Sequence, residues 1–564
     1  MPSIVKKTKN GKAYYYAVES KRINGKPRIA WQKYLGPVET IIKRYEQNLA
    51  PLPTETVLFE AGGVAALLKI ATRLGLIDLV NRIVPKRDQG PSVGHYIVLA
   101  ALNRALDPLS KSQIGDWYHS TVLRRLWGFP QEVFNSQRYW DHMDMISEDA
   151  IDKIQNFLTE RARKEFNLET QSLLYDTTNF FTHIDTHNDR NTIAQRGKNK
   201  QKRADLRQVN LALLTTRDFQ IPLFHRAYDG ATPDIKFFPE IVKDLLGRHA
   251  AIFGPLGDAT LVFDKGNLSE ESKEQLLYSG TYFVAGIKAE VHPEIFTTPI
   301  EKFENALTMP GTKFHESTIE VYGKSCKAVV SYSESFFTQQ LASLSATMAK
   351  CQDKLKELHS YLLSWTHDKK PKGPRPTKVQ VKEKLKQILS PQHMESIFAV
   401  DLVEVGGLPC MHYSVNRKKL DEITSTRLGR TLLLTNRQSW LPTEIISTYR
   451  DLANIEDAFK NMKNRDYLRW QPAFHWTDQK IKVHSLYCVV ALLLATLARK
   501  MAWEAGHEVS LPVLLDDLSS MKEVALLYTE KDNKLKAQFT MNSMTPRQKK
   551  FAEIFGISEI LVAG

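Results

Sequence analysis

Apolar positions along the chain change period twice, and the changes divide it. Val64, Leu67, Leu68, Ala71 and Leu74, then Ile97, Val98, Ala101, Leu102 and Ala105, recur every three or four residues and predict a helical domain over 55–168. Pro85, Gly90-Pro91 and Pro108 punctuate it. Ser110 offers a cap for a helix through Trp117 and Tyr118; a plain bundle is expected there, with a helix-turn-helix as the other arrangement. From about 170 the apolar runs become short. Segments 171–176, 209–215, 221–224, 259–264 and 282–287 read as strands, with helices at 233–249 and 269–278, so 169–289 is expected to be the first part of an α/β core. Between 290 and 430 lie alternating strands within 317–332 and 397–415 and a long helical pattern at 336–365, predicting a mainly β insertion with helices. The core resumes over 431–510, and 511–564 is expected to be helical.

Within the second part of the core, 449–463 reads as one helix. Leu452, Ile455, Phe459 and Met462 form its apolar stripe, while Tyr449, Glu456 and Lys463, spaced by seven, stack along an adjacent face. A carboxylate followed by Lys460 and Lys463 suits a divalent cation held beside a phosphate. The plainer alternative is a solvated Glu456–Lys460 pair on an amphipathic helix.

At the other end, residues 1–36 hold nine Lys or Arg and one acid, Glu19. Asn10-Gly11 and Asn24-Gly25 signal tight turns, so 1–40 is expected to be a basic β-hairpin region. It would either contact DNA or pack as a flap on the rest of the chain. A second basic stretch, 369–378, is rich in proline and is either a phosphate-tracking arm or solvated.

Lys plus Arg number 77 against 63 Asp plus Glu, a formal net charge of +14 that fits a polyanionic partner. Four scattered cysteines, with no C-x-x-C spacing, argue against a zinc ribbon or a disulfide framework and suit a reducing cytoplasm. Residues 1–7 contain no apolar signal core, and the apolar run 486–498 is shorter than the ~20 residues of a membrane span, so a buried helix and no membrane partner are expected.

Asp176 and Asp264 each close an apolar strand, and Glu456 sits on a helix. Each has a dull explanation, a turn cap or a solvated face. Together they form an order of acids that suits metal-dependent phosphoryl transfer. His475 and His484 are read as ordinary polar residues, and Asp185 is the nearest competitor to Asp176.

Tyr175-Asp-Thr-Thr, Val262-Phe-Asp-Lys-Gly and Tyr449-x6-Glu456-x6-Lys463 resemble the three catalytic signatures of DDE transposases of bacterial insertion sequences, more narrowly the insertion-sequence-four-like group. Trp470 to His475 and Ile481 to His484 resemble the segments C-terminal to the glutamate in that group. The resemblance covers about 170 to 500. It implies an RNase H-like core interrupted by a mainly β insertion, and Asp176, Asp264 and Glu456 as catalytic metal ligands for two Mg²⁺ (or Mn²⁺) ions. It also implies Tyr449, Arg450, Lys460 and Lys463 at the DNA, a homodimer on double-stranded DNA, and cytoplasmic, nucleoid-associated action. The group places an arginine three residues after the tyrosine; here that position is Leu452, and Arg450 follows Tyr449 directly. A nuclease without joining activity and a catalytically silent DNA-binding descendant are the rival readings.

Overall fold

The computed structural model describes residues 2–23, 26–48, 53–86, 89–185, 188–199, 201–248, 258–365, 373–471, 473–529 and 535–562. It divides into two units: residues 1–61 with 521–545, and residues 62–520 with 546–564.

In the first unit, Asn10 and Gly11 take φ of 52° and 74°, the left-handed pair that a two-residue turn needs. The turn joins β1 (Pro2–Lys9) to β2 (Lys12–Ile23). β3 (Lys26–Gly36) adds to the far side of β2, so the predicted hairpin is a three-stranded antiparallel sheet, followed by the helix Val38–Asn48. The Asn24-Gly25 turn lies outside the described residues. A second sheet pairs β4 (Glu55–Glu60) with β16 (Lys522–Thr529) and β17 (Leu535–Met541).

This second sheet corrects two expectations. Residues 55–60 are strand, not the start of the helical domain, and 511–564 is not wholly helical. Short apolar runs such as 522–529 carry no decisive period of their own. They become strand by pairing, here of Leu526 with Thr56 across most of the chain.

The second unit is built on a nine-stranded sheet in the order β10-β11-β12-β15-β9-β8-β5-β6-β7. Its strands are β5 (Ser172–Phe181), β6 (Gln208–Thr216), β7 (Pro222–Asp229), β8 (Thr260–Phe263), β9 (Tyr282–Ile287), β10 (Glu304–Asn305), β11 (Thr312–Val321), β12 (Lys324–Ser333) and β15 (Arg430–Thr435). β5, β8 and β9 run parallel; the other pairs are antiparallel. From β5 the chain first builds outward through β6 and β7, then returns to lay β8 and β9 on the opposite side. The crevice between β5 and β8 is therefore the place where strand order reverses, the usual ligand position of an open α/β sheet.

Side chains alternate across the sheet. Leu173, Tyr175, Leu261, Phe263 and Phe283 enter one core with Phe238 and Ile241 of the helix Asp234–Gly247 and Leu276 of the helix Glu270–Ser279. The other face receives the helices Pro442–Arg450 and Ile455–Met462.

The insertion differs from expectation. Residues 304–333 supply β10–β12, which extend the main sheet because β12 pairs with β15. What remains, 334–428, is mainly helical. The helix Glu334–Ser364, three shorter helices and the hairpin of β13 (Phe398–Val405) and β14 (Leu408–Val415) share a separate core around Leu355, Leu358 and Met394. Nor are the helices over 62–166 a closed domain. They pack around the helix Asp478–Glu504, whose sequence belongs to the second part of the core. That helix is long and apolar enough to cross a bilayer by length and composition, and 94% of its most apolar window is buried inside the unit.

Candidate active site

The strand register fixes the first two acids. β5 and β8 pair Ser172 with Thr260, Leu173 with Leu261 and Leu174 with Val262. Two residues beyond the last of these pairs come Asp176, still within β5, and Asp264, the residue after β8 ends. Tyr175 and Phe263 occupy the alternate positions and point into the core, so both acids face the side on which the helices of 442–462 lie.

The third acid comes from that layer. The helical path begins at Pro442, where Glu444 accepts the backbone N–H of Leu441 at 2.7 Å. It is interrupted by a 3₁₀ turn, Asp451–Asn454, and resumes as Ile455–Met462. The single helix expected over 449–463 is thus two helices with a tighter turn between them. Asp451, in that turn, is held by Arg217 at 2.5 Å. The apolar stripe does what its spacing demands: Ile455, Phe459 and Met462 are buried, with Ala458 beside them. Leu452 instead lines the cavity.

Asp176, Asp264 and Glu456 all line one cavity of roughly 380 Å³, together with Tyr449, Arg450 and Leu452. Asp176 and Glu456 also line a second cavity of roughly 580 Å³, walled by Thr178, Asn179, Lys198 and Lys463. Among the described residues, no three His, Cys, Asp or Glu close around a single point as a metal cluster does.

Tyr449 donates its hydroxyl to Asp264 Oδ1 at 2.7 Å. Burial pushes the phenol well above its ordinary pKa, and the carboxylate charge and hydrogen bond push it further, so it stays a donor. Its ring tip lies over Gly286 of β9, where a Cβ would collide with the hydroxyl. Arg450, also at this cavity, donates to Thr312 Oγ1 at 3.0 Å. Lys460 pairs at 2.8 Å with Asp457, the residue after Glu456, rather than with Glu456 itself. Lys463 donates to Thr178 Oγ1 at 2.6 Å and lies 5.4 Å over the Phe180 ring. Phe180 stacks in turn on Trp470 at 4.8 Å, fastening the segment after the Glu456 helix to β5.

Gly286, Arg217 and Trp470 are contributors for which sequence reasoning assigned no role. A glycine inside the strand 282–287 was a usable signal of close approach. Nothing local marks Arg217 as the partner of Asp451. His475 and His484 are both buried, with ring centroids 4.3 Å apart, and lie away from the acids' cavities.

No protein-family model matches the chain, and no curated protein matches it. Among solved structures, a piggyBac transposase synaptic complex with hairpin DNA is similar over 81% of this chain and 78% of its own, with 9% sequence identity and a TM-score of 0.34.

Proposed function

We propose that the chain is a DNA transposase of insertion-sequence type. It would cut double-stranded DNA at element ends and join the freed 3′-OH to target DNA by phosphoryl transfer at Asp176, Asp264 and Glu456. The observation that carries this reading is the convergence of the three acids on one cavity at the strand-order reversal. The same topology, with three antiparallel strands followed by two parallel to the first, supports an RNase H-like core.

By donor chemistry the three carboxylates, with no sulfur and no imidazole, suit a hard divalent cation, which would have to draw them closer together than they stand here. Asp176, Asp264 and Glu456 would hold Mg²⁺ or Mn²⁺, which supplies Lewis acidity and nucleophile activation to phosphoryl transfer. The chain's own residues do the rest. Tyr449 orients the Asp264 carboxylate. Lys463 and Lys198 bring positive charge to the second cavity, where a phosphodiester backbone entering past Thr178 would need it. Arg450, committed to β11, braces the Tyr449 helix. A homodimer holding two ends, acting in the cytoplasm at the nucleoid, completes the proposal.

The test uses the full chain, a supercoiled plasmid carrying the element's ends, and pre-cut end fragments. Mg²⁺-dependent cleavage and joining are expected, with both lost in Asp264→Asn while end binding persists. Cleavage without joining would favour the nuclease reading. Binding without either reaction would favour a silent DNA-binding descendant.

A further inference from the structure

We infer that one face of the β1-β2-β3 sheet seats in the major groove of duplex DNA and reads base edges there. This inference rests on the reading that the chain acts on DNA, and adds which surface recognises it.

The two faces of the sheet differ. The register pairs Val5 with Tyr16, Lys7 with Tyr14, Tyr16 with Tyr34 and Val18 with Gln32, so these residues share a face. On that face the tyrosines cluster on one another, although Tyr34 at 50% and Val5 at 39% stay exposed. Tyr34 lies 5.1 Å from Tyr16 and 6.1 Å from Tyr14 between ring centroids, Val18 is 3% exposed, and Lys7 sits over Tyr16 while bonding Gln32 at 3.3 Å.

The opposite face pairs Ile4 with Ala17, Lys33 with Ala17, Trp31 with Glu19 and Lys21 with Arg28. It presents four exposed cations, Lys6, Lys21, Arg28 and Lys33. Among them stand two large apolar side chains, Ile4 at 66% and Trp31 at 48% exposure. An exposed tryptophan on a face that also carries four cations suits a surface that is both polyanionic and apolar in its depth. Duplex DNA is such a surface, with phosphates at the rim of the groove and base edges and thymine methyls at its floor.

The dimensions agree. Three strands spaced ~4.8 Å apart put about 10 Å between the outer two, against a major groove about 12 Å wide that is known to admit β-ribbons. Glu19 lies on the central strand of this face, the one acid in a stretch of nine bases. A carboxylate there weakens attraction to phosphate. It can, however, accept a hydrogen bond from the cytosine amino group, which gives it a use on a base-reading surface.

The experiment measures binding of the full chain, in EDTA, to 30-bp random-sequence duplex DNA, the same sequence as duplex RNA, and single-stranded DNA, across a salt series. Replacing Lys6, Lys21, Arg28 and Lys33 by Ala is expected to weaken duplex DNA binding at least about tenfold and to lower the salt slope by roughly 3, at ~0.9 for each phosphate no longer neutralised. Replacing Lys7, Lys9 and Lys12, on the tyrosine face, is expected to do far less. Selection from a random duplex library should return a consensus for the parent that Trp31→Ala and Glu19→Gln relax. Equal losses from both lysine sets, equal affinity for duplex RNA, or an unchanged consensus in both variants would overturn the inference. Because binding is read without metal, an Asp264→Asn chain that binds like the parent separates failure of this surface from failure of the catalytic reading.

Discussion

The Tyr449 hydroxyl donates to Asp264 Oδ1 at 2.7 Å, and it does so from a position that exists only because β9 carries glycine at 286. The bond links the helix Pro442–Arg450 to the end of β8, and so ties the layer that bears Glu456 to the strand that precedes Asp264.

Tyr449→Phe keeps the ring and removes the bond. A hydrogen bond to a charged acceptor contributes about 1.5–3 kcal/mol; at this partly exposed site the lower end is expected in denaturant melts. Metal-dependent cleavage should fall about tenfold to a hundredfold, as when a group orienting a ligand is lost. The pH dependence has a definite sign. A phenol whose folded pKa is raised contributes stability that is complete below its unfolded value of about 10 and disappears as pH climbs beyond it. Above pH ~10 the parent should therefore lose stability faster than Tyr449→Phe.

Gly286→Ala places a methyl against the Tyr449 hydroxyl. Overpacking of this kind costs about 1–3 kcal/mol, and displacing Tyr449 should lower cleavage at least as much as Tyr449→Phe does. In the double variant Gly286→Ala/Tyr449→Phe the removed hydroxyl relieves the clash, so the two effects should be less than additive. Melting curves of the four chains measure this.

Glu456→Gln and Asp457→Asn separate two neighbouring acids. Glu456 faces both cavities, whereas Asp457 holds Lys460 at the surface. The first should abolish Mg²⁺-dependent cleavage, by about 10³-fold or more on the scale of charge-stabilising groups in phosphoryl transfer. The second should leave cleavage intact and, by releasing Lys460, leave DNA affinity unchanged or higher. Equal losses in a plasmid-nicking assay would remove Glu456 from the site.

The buried histidines set an acid limit on stability. Burial, then the nearby Lys111 and Arg104 charges, hold the His475 imidazole far below its ordinary pKa; burial does the same for His484, helped by His475. A base depressed in the folded state contributes stability present above its unfolded value of about 6.5 and lost as pH falls further. The chain should destabilise progressively below pH ~6.5. Because neither nitrogen of His475 has a hydrogen-bond partner among the described residues, His475→Met should flatten that acid limb without a large loss at pH 8. Denaturant titrations at several pH values check it.

Much of the local structure was legible because its causes are local. Asn10-Gly11 required a left-handed turn, alternation over 317–332 marked strands, and the spacing of Ile455, Phe459 and Met462 required a buried helical stripe. Asp176 and Asp264 could be singled out as acids at strand ends, and Glu456 as an acid on a helix, from the same periodicities. The run 486–498 was readable as a buried helix, and it is buried against the helices of 62–166.

Propensity, period and turn chemistry act over a few residues, and they specify most of the helices and strands and the acids near their ends, but not the strands Glu55–Glu60 and Lys522–Thr529. Long-range packing settled that β16 pairs with β4, that β12 pairs with β15 and carries the start of the insertion into the main sheet, and that Asp176 and Asp264 line one cavity. It also decided that Tyr449 would bond Asp264, and that Arg217 would hold Asp451 where the helix tightens to a 3₁₀ turn. Those outcomes depend on which apolar faces bury one another across hundreds of residues, and a short window of sequence carries no record of its distant partner.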